Sequence, residues 1–143
     1  MKTKFSEILK VKKQKLSEIE QKLANLRHEK EIITTQLAET LSKINAFTLP
    51  KSGDYTQMQM ALGQKEYLFR EKEQKENMLK YYDQEIEAAN LLYKEANIEY
   101  EKIKHLHDME EQSMMEEAMR KEAKRMDEVA NQLFLRTQGK EES

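Results

Sequence analysis

Three histidines, 27 acidic residues and one Gly-Gln-Lys triplet are the parts of this 143-residue sequence that catalysis or ligand binding could draw on. His105 and His107 stand two apart, which on a helix turns their rings to opposite sides. A chelating pair needs the i,i+4 spacing that puts both on one face. His28 stands alone. Gly63-Gln64-Lys65 lacks the earlier glycine and the preceding strand of a phosphate-cradling loop. No cysteine is present, so there is no thiolate ligand and no disulfide, as fits a reducing compartment. Carboxylates are abundant, but acid–base work needs a water-excluded pocket that separates their pKa values. The sequence therefore predicts no catalytic residue, no metal, no cofactor and no small-molecule substrate.

The elements that would have to carry a site explain why no pocket is expected. Thr48-Leu49-Pro50-Lys51-Ser52-Gly53-Asp54 holds the only proline and one of three glycines. Pro50 lacks the N–H a helix interior needs and disfavours helical geometry at Leu49. Asp54 followed by Gln57 has the form of an N-cap with a reciprocal partner, so a second helix starts at once. Stepping three and four from Phe5 reaches Leu9, Lys12, Leu16, Ile19, Leu23, Leu26, Lys30, Ile33, Leu37, Thr40 and Ile44; nine of these twelve are apolar. Such a repeat predicts a helix packed along its length by knobs into holes, with the stems of Lys12 and Lys30 covering the seam. The second helix carries Tyr55, Met58, Leu62 and Phe69, then a polar stretch from Arg70 to Asn77. Leu79, Tyr82, Ile86, Ala89, Tyr93, Ala96, Tyr100 and Ile103 resume the stripe. Glu71 with Lys75 and Glu76 with Lys80 are spaced as i,i+4 pairs that keep the polar stretch helical.

The expected fold is all-α, an antiparallel two-helix coiled-coil hairpin with a longer second helix overhanging the first. It forms a single domain over 1–143: helix one about 4–48, turn 49–53, helix two about 54–136 with Gly139 as a stop, and a tail 137–143. Its core is one residue wide. Folding back at the turn sets Phe5 near residue 97, so roughly the last 40 residues of helix two lack an internal partner. Yet Met115, Met119, Ala123, Met126, Ala130 and Leu133 keep an apolar stripe there, with Phe134 beside it. A lone amphipathic helix is marginal in water, so this stripe is expected to bind a partner, dimerise or fray. Five of the nine methionines lie between Met109 and Met126. That suits an adaptable docking face, and equally an ordinary seam.

Charge narrows the partners further. The formal net charge of −2 argues against nucleic acid. Residues 1–48 carry ten Lys/Arg against six Asp/Glu, and Lys2, Lys4, Lys10, Lys12, Lys13 and Lys15 crowd the start. That segment suits an acidic protein surface or anionic lipid, though a solvated face is the commoner reason for such a run. The charges in the first ten residues interrupt any signal-peptide core, and the longest uncharged run, Tyr55 to Gln64, is about half of the roughly 20 residues that span a bilayer. A soluble chain is expected.

Lys124-Arg125-Met126-Asp127-Glu128-Val129-Ala130 resembles the Lys/Arg-x-Met-Asp-Glu-x-Ala signature near the end of the FliJ family, the small coiled-coil proteins of the flagellar type III export apparatus. Phe5, Leu9, the basic run Lys10 to Lys15 and the Leu16 to Leu26 heptads look like that family's first helix. The resemblance implies a cytoplasmic, non-enzymatic partner of the flagellar export ATPase ring, peripheral to the membrane-embedded export gate and similar in architecture to the central stalk of rotary ATPases. It also implies contact with the cytoplasmic domain of the export gate membrane protein and with export chaperones. On that basis Met115, Met119, Arg125, Met126, Asp127, Glu128 and Ala130, with the basic amino terminus alongside, are the expected ATPase-facing residues. Phe47, Leu49, Tyr55, Met58 and Leu62 at the opposite tip are expected to face the export gate. A structural coiled coil that pairs the overhang with itself as a homodimer is the alternative. A prefoldin-like holdase needs strands at the helix junction, for which residues 48–54 are too few.

Overall fold

The computed structural model describes residues 2–142, and among these it contains two helices and no strand: α1, Ser6–Ala46, and α2, Tyr55–Glu142. The fold is an all-α, two-helix hairpin whose second helix is 88 residues long against 41 for the first. α1 begins where the Thr3 carbonyl accepts the Ser6 amide, and the Thr3 amide donates to Ser6 Oγ at 2.8 Å. It ends ahead of Pro50, with the Phe47 amide closing on the Ile44 carbonyl. α2 begins on Asp54, whose Oδ1 accepts the Gln57 amide at 2.8 Å, an N-cap that satisfies one of the orphan donors of the first turn. Gly53 sits at φ +155°, and a Cβ there would run into Gln57 Oε1, so the side chain of Gln57 folds back over the glycine. At the other end α2 continues past Arg136 and through Gly139 to Glu142 rather than stopping near 136. A glycine permits a helix stop without imposing one, and no proline follows to force it.

Contacts divide the chain into two compact units, Gln14–Asn97 and Met1–Lys13 with Ile98–Ser143. In the first, Tyr93 Oη donates to Glu20 Oε1 at 3.4 Å and Lys30 Nζ lies 2.7 Å from Asp83 Oδ1, so the two helical segments run antiparallel. Leu16, Leu23, Ile33 and Thr40 of α1 and Ala89 and Ala96 of α2 are its buried residues. Ile19, Leu26, Lys30, Leu37 and Ile44 are half-buried between them, as the 3.5-residue repeat requires. Small alanines across from branched leucines let the two helix backbones approach closely, which is why the least exposed residue is Ala89.

The seam of α2 near the connection differs from the expected one. Counting back from Leu79 in threes and fours, the half-buried residues are Lys75, Lys72, Leu68 and Ala61, while Tyr55, Met58, Leu62 and Phe69 are exposed. The repeat keeps its phase through the polar stretch by using lysine stems as seam residues. With Lys75 committed to the seam, the ion pairs there are Glu66 with Arg70 at 2.6 Å and Lys72 with Glu76 at 3.8 Å, instead of Glu71 with Lys75 and Glu76 with Lys80.

In the other unit, Thr3 Oγ1 and His107 Nδ1 are 2.7 Å apart and Lys12 Nζ is 2.7 Å from Glu99 Oε2. Phe5 therefore faces the neighbourhood of His105, further along α2 than residue 97. The reason lies in the connection 47–54. Phe47 and Leu49 line one groove with Leu68, so the chain covers the length of α2 from there back to Tyr55, and the first turns of α2 stand beyond the end of α1. Extended chain covers roughly 3.3 Å per residue against 1.5 Å for helix, so a short connection displaces the register by several helical residues.

Candidate functional site

Among the described residues no group of three or more metal-ligating side chains converges, and no helix is long and apolar enough to cross a membrane. The surfaces that stand out are two exposed apolar regions, one in each unit.

In the unit of residues 1–13 and 98–143, α1 stops covering α2 near His107. Glu110 and Glu111 are the last half-buried residues, and everything from Gln112 to Gly139 is exposed. His107 fixes the end of the paired stretch: its Nδ1 meets the Thr3 hydroxyl, and its Nε2 lies 3.3 Å from Glu111 Oε2. That geometry suits the tautomer whose Nε2–H donates to Glu111 while Nδ1 accepts the Thr3 proton. Thr3 Oγ1 in turn accepts the Phe5 amide at 3.1 Å, which pins the first residues of the chain to α2. The basic start therefore lies along residues 98–108. Met115 begins eight residues past His107, about 12 Å along the helix.

Past that point, helix geometry sorts the predicted residues. At about 100° per residue, Met115, Met119, Met126, Ala130 and Leu133 fall within about 60° of one another. Met119 is 70% exposed and Met126 63%. Arg125 is turned roughly 100° to one side of this stripe, Asp127 roughly 100° to the other, and Glu128 lies almost behind it. Arg125 bonds to Glu122 at 2.9 Å, whereas Asp127 and Glu128 have no ion-pair partner among the described residues. Arg120 with Glu116 and Lys121 with Glu117 are further pairs along the same helix. The structure thus joins the methionines and Ala130 in one face and separates the three charged residues from it. The stripe is also turned by about a third of a turn from the Tyr100, Ile103 and His107 seam, so it does not prolong the surface that α1 covers. Val129 and Leu135, exposed at the same end, lay outside the predicted set, although their apolar type was readable.

In the unit of residues 14–97, Phe47 divides two grooves. One, of about 540 Å³, is lined by Phe47, Met60, Gly63, Gln64, Tyr67 and Leu68. The other, of about 320 Å³, is lined by Ile44, Phe47, Leu49, Lys65, Leu68 and Phe69. Of the predicted tip residues, Phe47 and Leu49 line these grooves, whereas Tyr55, Met58 and Leu62 project from the first turns of α2 outside them. Met60, Tyr67 and Leu68 were missed. Carrying the heptad phase back from Leu79 would have placed Leu68 on the α1-facing side.

A family model described as Flagellar FliJ protein matches residues 1–139. No curated protein and no solved structure matches the chain.

Proposed function

The chain belongs to the flagellar FliJ family and is a component of flagellar protein export, and from that membership we propose that it is a non-catalytic adaptor whose unpaired stretch of α2 binds the export ATPase ring. The observation that carries this reading is the exposed stripe of Met115, Met119, Met126, Ala130 and Leu133 on the stretch of α2 that runs past the start of α1. Such a face loses little by staying folded when the rest of its helix is held by packing, and it gains apolar burial only on meeting a partner. Methionine lends it the side-chain freedom to repack against a ring of several copies. Arg125, Asp127 and Glu128, set around the helix away from the stripe, then meet polar groups at the rim of the interface, where charge sets orientation more than affinity.

At the other surface, the groove residues Phe47 and Leu49, with Tyr55, Met58 and Leu62, face the cytoplasmic domain of the export gate. Export chaperones compete for or share these faces. The protein then works in the cytoplasm, beside the membrane-embedded gate.

Sedimentation equilibrium of the purified full chain, alone and with the export ATPase, tests the reading. The expected result is a monomer of about 17.1 kDa that joins the ATPase oligomer, with Met119→Glu combined with Met126→Glu abolishing the association. Charge reversal at Asp127 and Glu128 is expected to weaken it by about tenfold or less, as rim charges do. A tight dimer indifferent to the ATPase would overturn the proposal and make the stripe a self-association face.

A further inference from the structure

The unit Gln14–Asn97 is apolar at both ends of its seam and polar between. On one side lie the buried Leu16, Leu23, Ile33, Ala89 and Ala96. Next to the connection, Ile44, Phe47 and Leu68 gather at the grooves. Between them α2 supplies Lys72 and Lys75 at seam positions, and α1 supplies Gln36, Thr40 and one apolar residue, Leu37. Counting antiparallel from the Lys30–Asp83 pair, Gln36 and Thr40 face the stretch 72–77.

This polar layer holds the helices together poorly. Thr40 is 3% exposed, yet its hydroxyl donates to the Gln36 carbonyl of its own helix at 3.1 Å and contributes no bond across the seam. Gln36 Oε1 is shut off from solvent without a hydrogen-bond partner. Lys72 sends its ammonium outward, to Glu76 at 3.8 Å and over the ring of Phe69 at 5.9 Å. Among the described residues, no hydrogen bond or ion pair joins α1 to α2 on the connection side of Lys30 and Asp83. A seam without cross-links, carrying an unsatisfied buried oxygen, is where separation costs least.

We propose that this layer is a built-in parting line: the connection end of the unit opens as a separate step while the pairing of residues 16–33 with 80–97 persists. Opening uncovers Ile44, Phe47 and Leu68, which otherwise cover one another, and merges the two grooves beside Phe47 into one apolar cleft. Opening leaves α1 from about Leu37 to Ala46 and α2 from Tyr55 to about Lys75 without a packed partner, so their amides exchange through this step faster than those of the segments that stay paired.

Amide hydrogen exchange of the full chain, read by mass spectrometry under conditions where reclosing outpaces exchange, tests this without any partner. Amides in 37–46 and 62–75 are expected to exchange about tenfold or more faster than those in 17–33 and 80–96, with the step at the polar layer. Gln36→Leu combined with Lys75→Leu is expected to remove the step while leaving 17–33 unchanged. Should the double variant not fold, Lys75→Met alone is expected to shrink the step. Protection that declines evenly from Ile33 to Ala46 would be ordinary end fraying and would overturn the proposal. So would a step that persists unchanged in the variants.

Discussion

Leu23→Ala is the substitution whose cost the structure specifies best. Leu23 is 5% exposed and lies across from the smallest part of the α2 seam, near Ala89. Removing three carbons at about 0.8 kcal/mol each gives about 2.4 kcal/mol of lost transfer free energy. A buried leucine in a globular core adds a cavity cost, up to about 5 kcal/mol in all. Here the core is a single seam between two helices, so the side chains at its edges can settle into the gap, and the lower end of that range applies. The expected loss is about 2–3 kcal/mol, a factor of roughly 30–150 in the folding constant. Leu91 is the matched control, a leucine on α2 in the same unit that is 60% exposed. Leu91→Ala should change stability by no more than about 0.5 kcal/mol. Urea unfolding followed by circular dichroism reads both, and with a slope near 2 kcal/mol/M the Leu23 variant should lose about 1 M in midpoint. Equal midpoint shifts for the two leucines would refute the seam assignment. A Leu23 cost above about 4 kcal/mol would refute the collapsible one-residue core.

Other substitutions probe separate features. Lys30→Leu exchanges a half-exposed ion pair with Asp83 for an apolar seam residue; since such pairs contribute about 0–1 kcal/mol, a gain of roughly 1 kcal/mol in the same urea assay is expected. Asp54→Ala removes the acceptor of the Gln57 amide and should cost about 1 kcal/mol, while Asp54→Ser should cost a few tenths. Gly53→Ala drives a Cβ into Gln57 Oε1 at a φ of +155°, with an expected loss of about 1–2 kcal/mol that Gln57→Ala relieves only in part. His107→Ala should release the start of the chain, seen as faster amide exchange over residues 4–8 with little change in global stability.

Much of this arrangement was legible before any coordinates. All twelve expected seam positions from Phe5 to Ile44 are buried or half-buried, because a two-helix coiled coil selects side chains by one strict period. The N-cap at Asp54 is equally readable, since its mechanism is local, although the Gln57 side chain lies over Gly53 in place of the expected reciprocal bond. What failed was whatever depended on distance rather than type. Leu62 and Phe69 read as seam because they are apolar, whereas Lys72 and Lys75 hold the seam with their stems. Composition does not reveal how far along α2 the residues after Ala46 lie, and so does not place Phe5 opposite the neighbourhood of His105. At the candidate sites, sequence separated the methionine stripe from its surroundings but grouped Arg125 and Glu128 with it, as neighbours along the chain that the helix turns apart.

The connection acts as a length gauge for the pairing it joins. One added residue of extended chain advances by about 3.3 Å, the rise of a little over two helical residues, and so brings the wrong side of α2 to α1. A slip of seven helical residues restores the seam and measures about 10.5 Å, close to the span of three extended residues. Length changes between Ala46 and Tyr55 that keep the seam intact therefore come in threes, each paired with a one-heptad shift of α2. Each such shift alters how far the first turns of α2 stand beyond Ala46 by about 10 Å. The length of the segment between the helices thereby sets how far Tyr55, Met58 and Leu62 stand from Phe47 along α2.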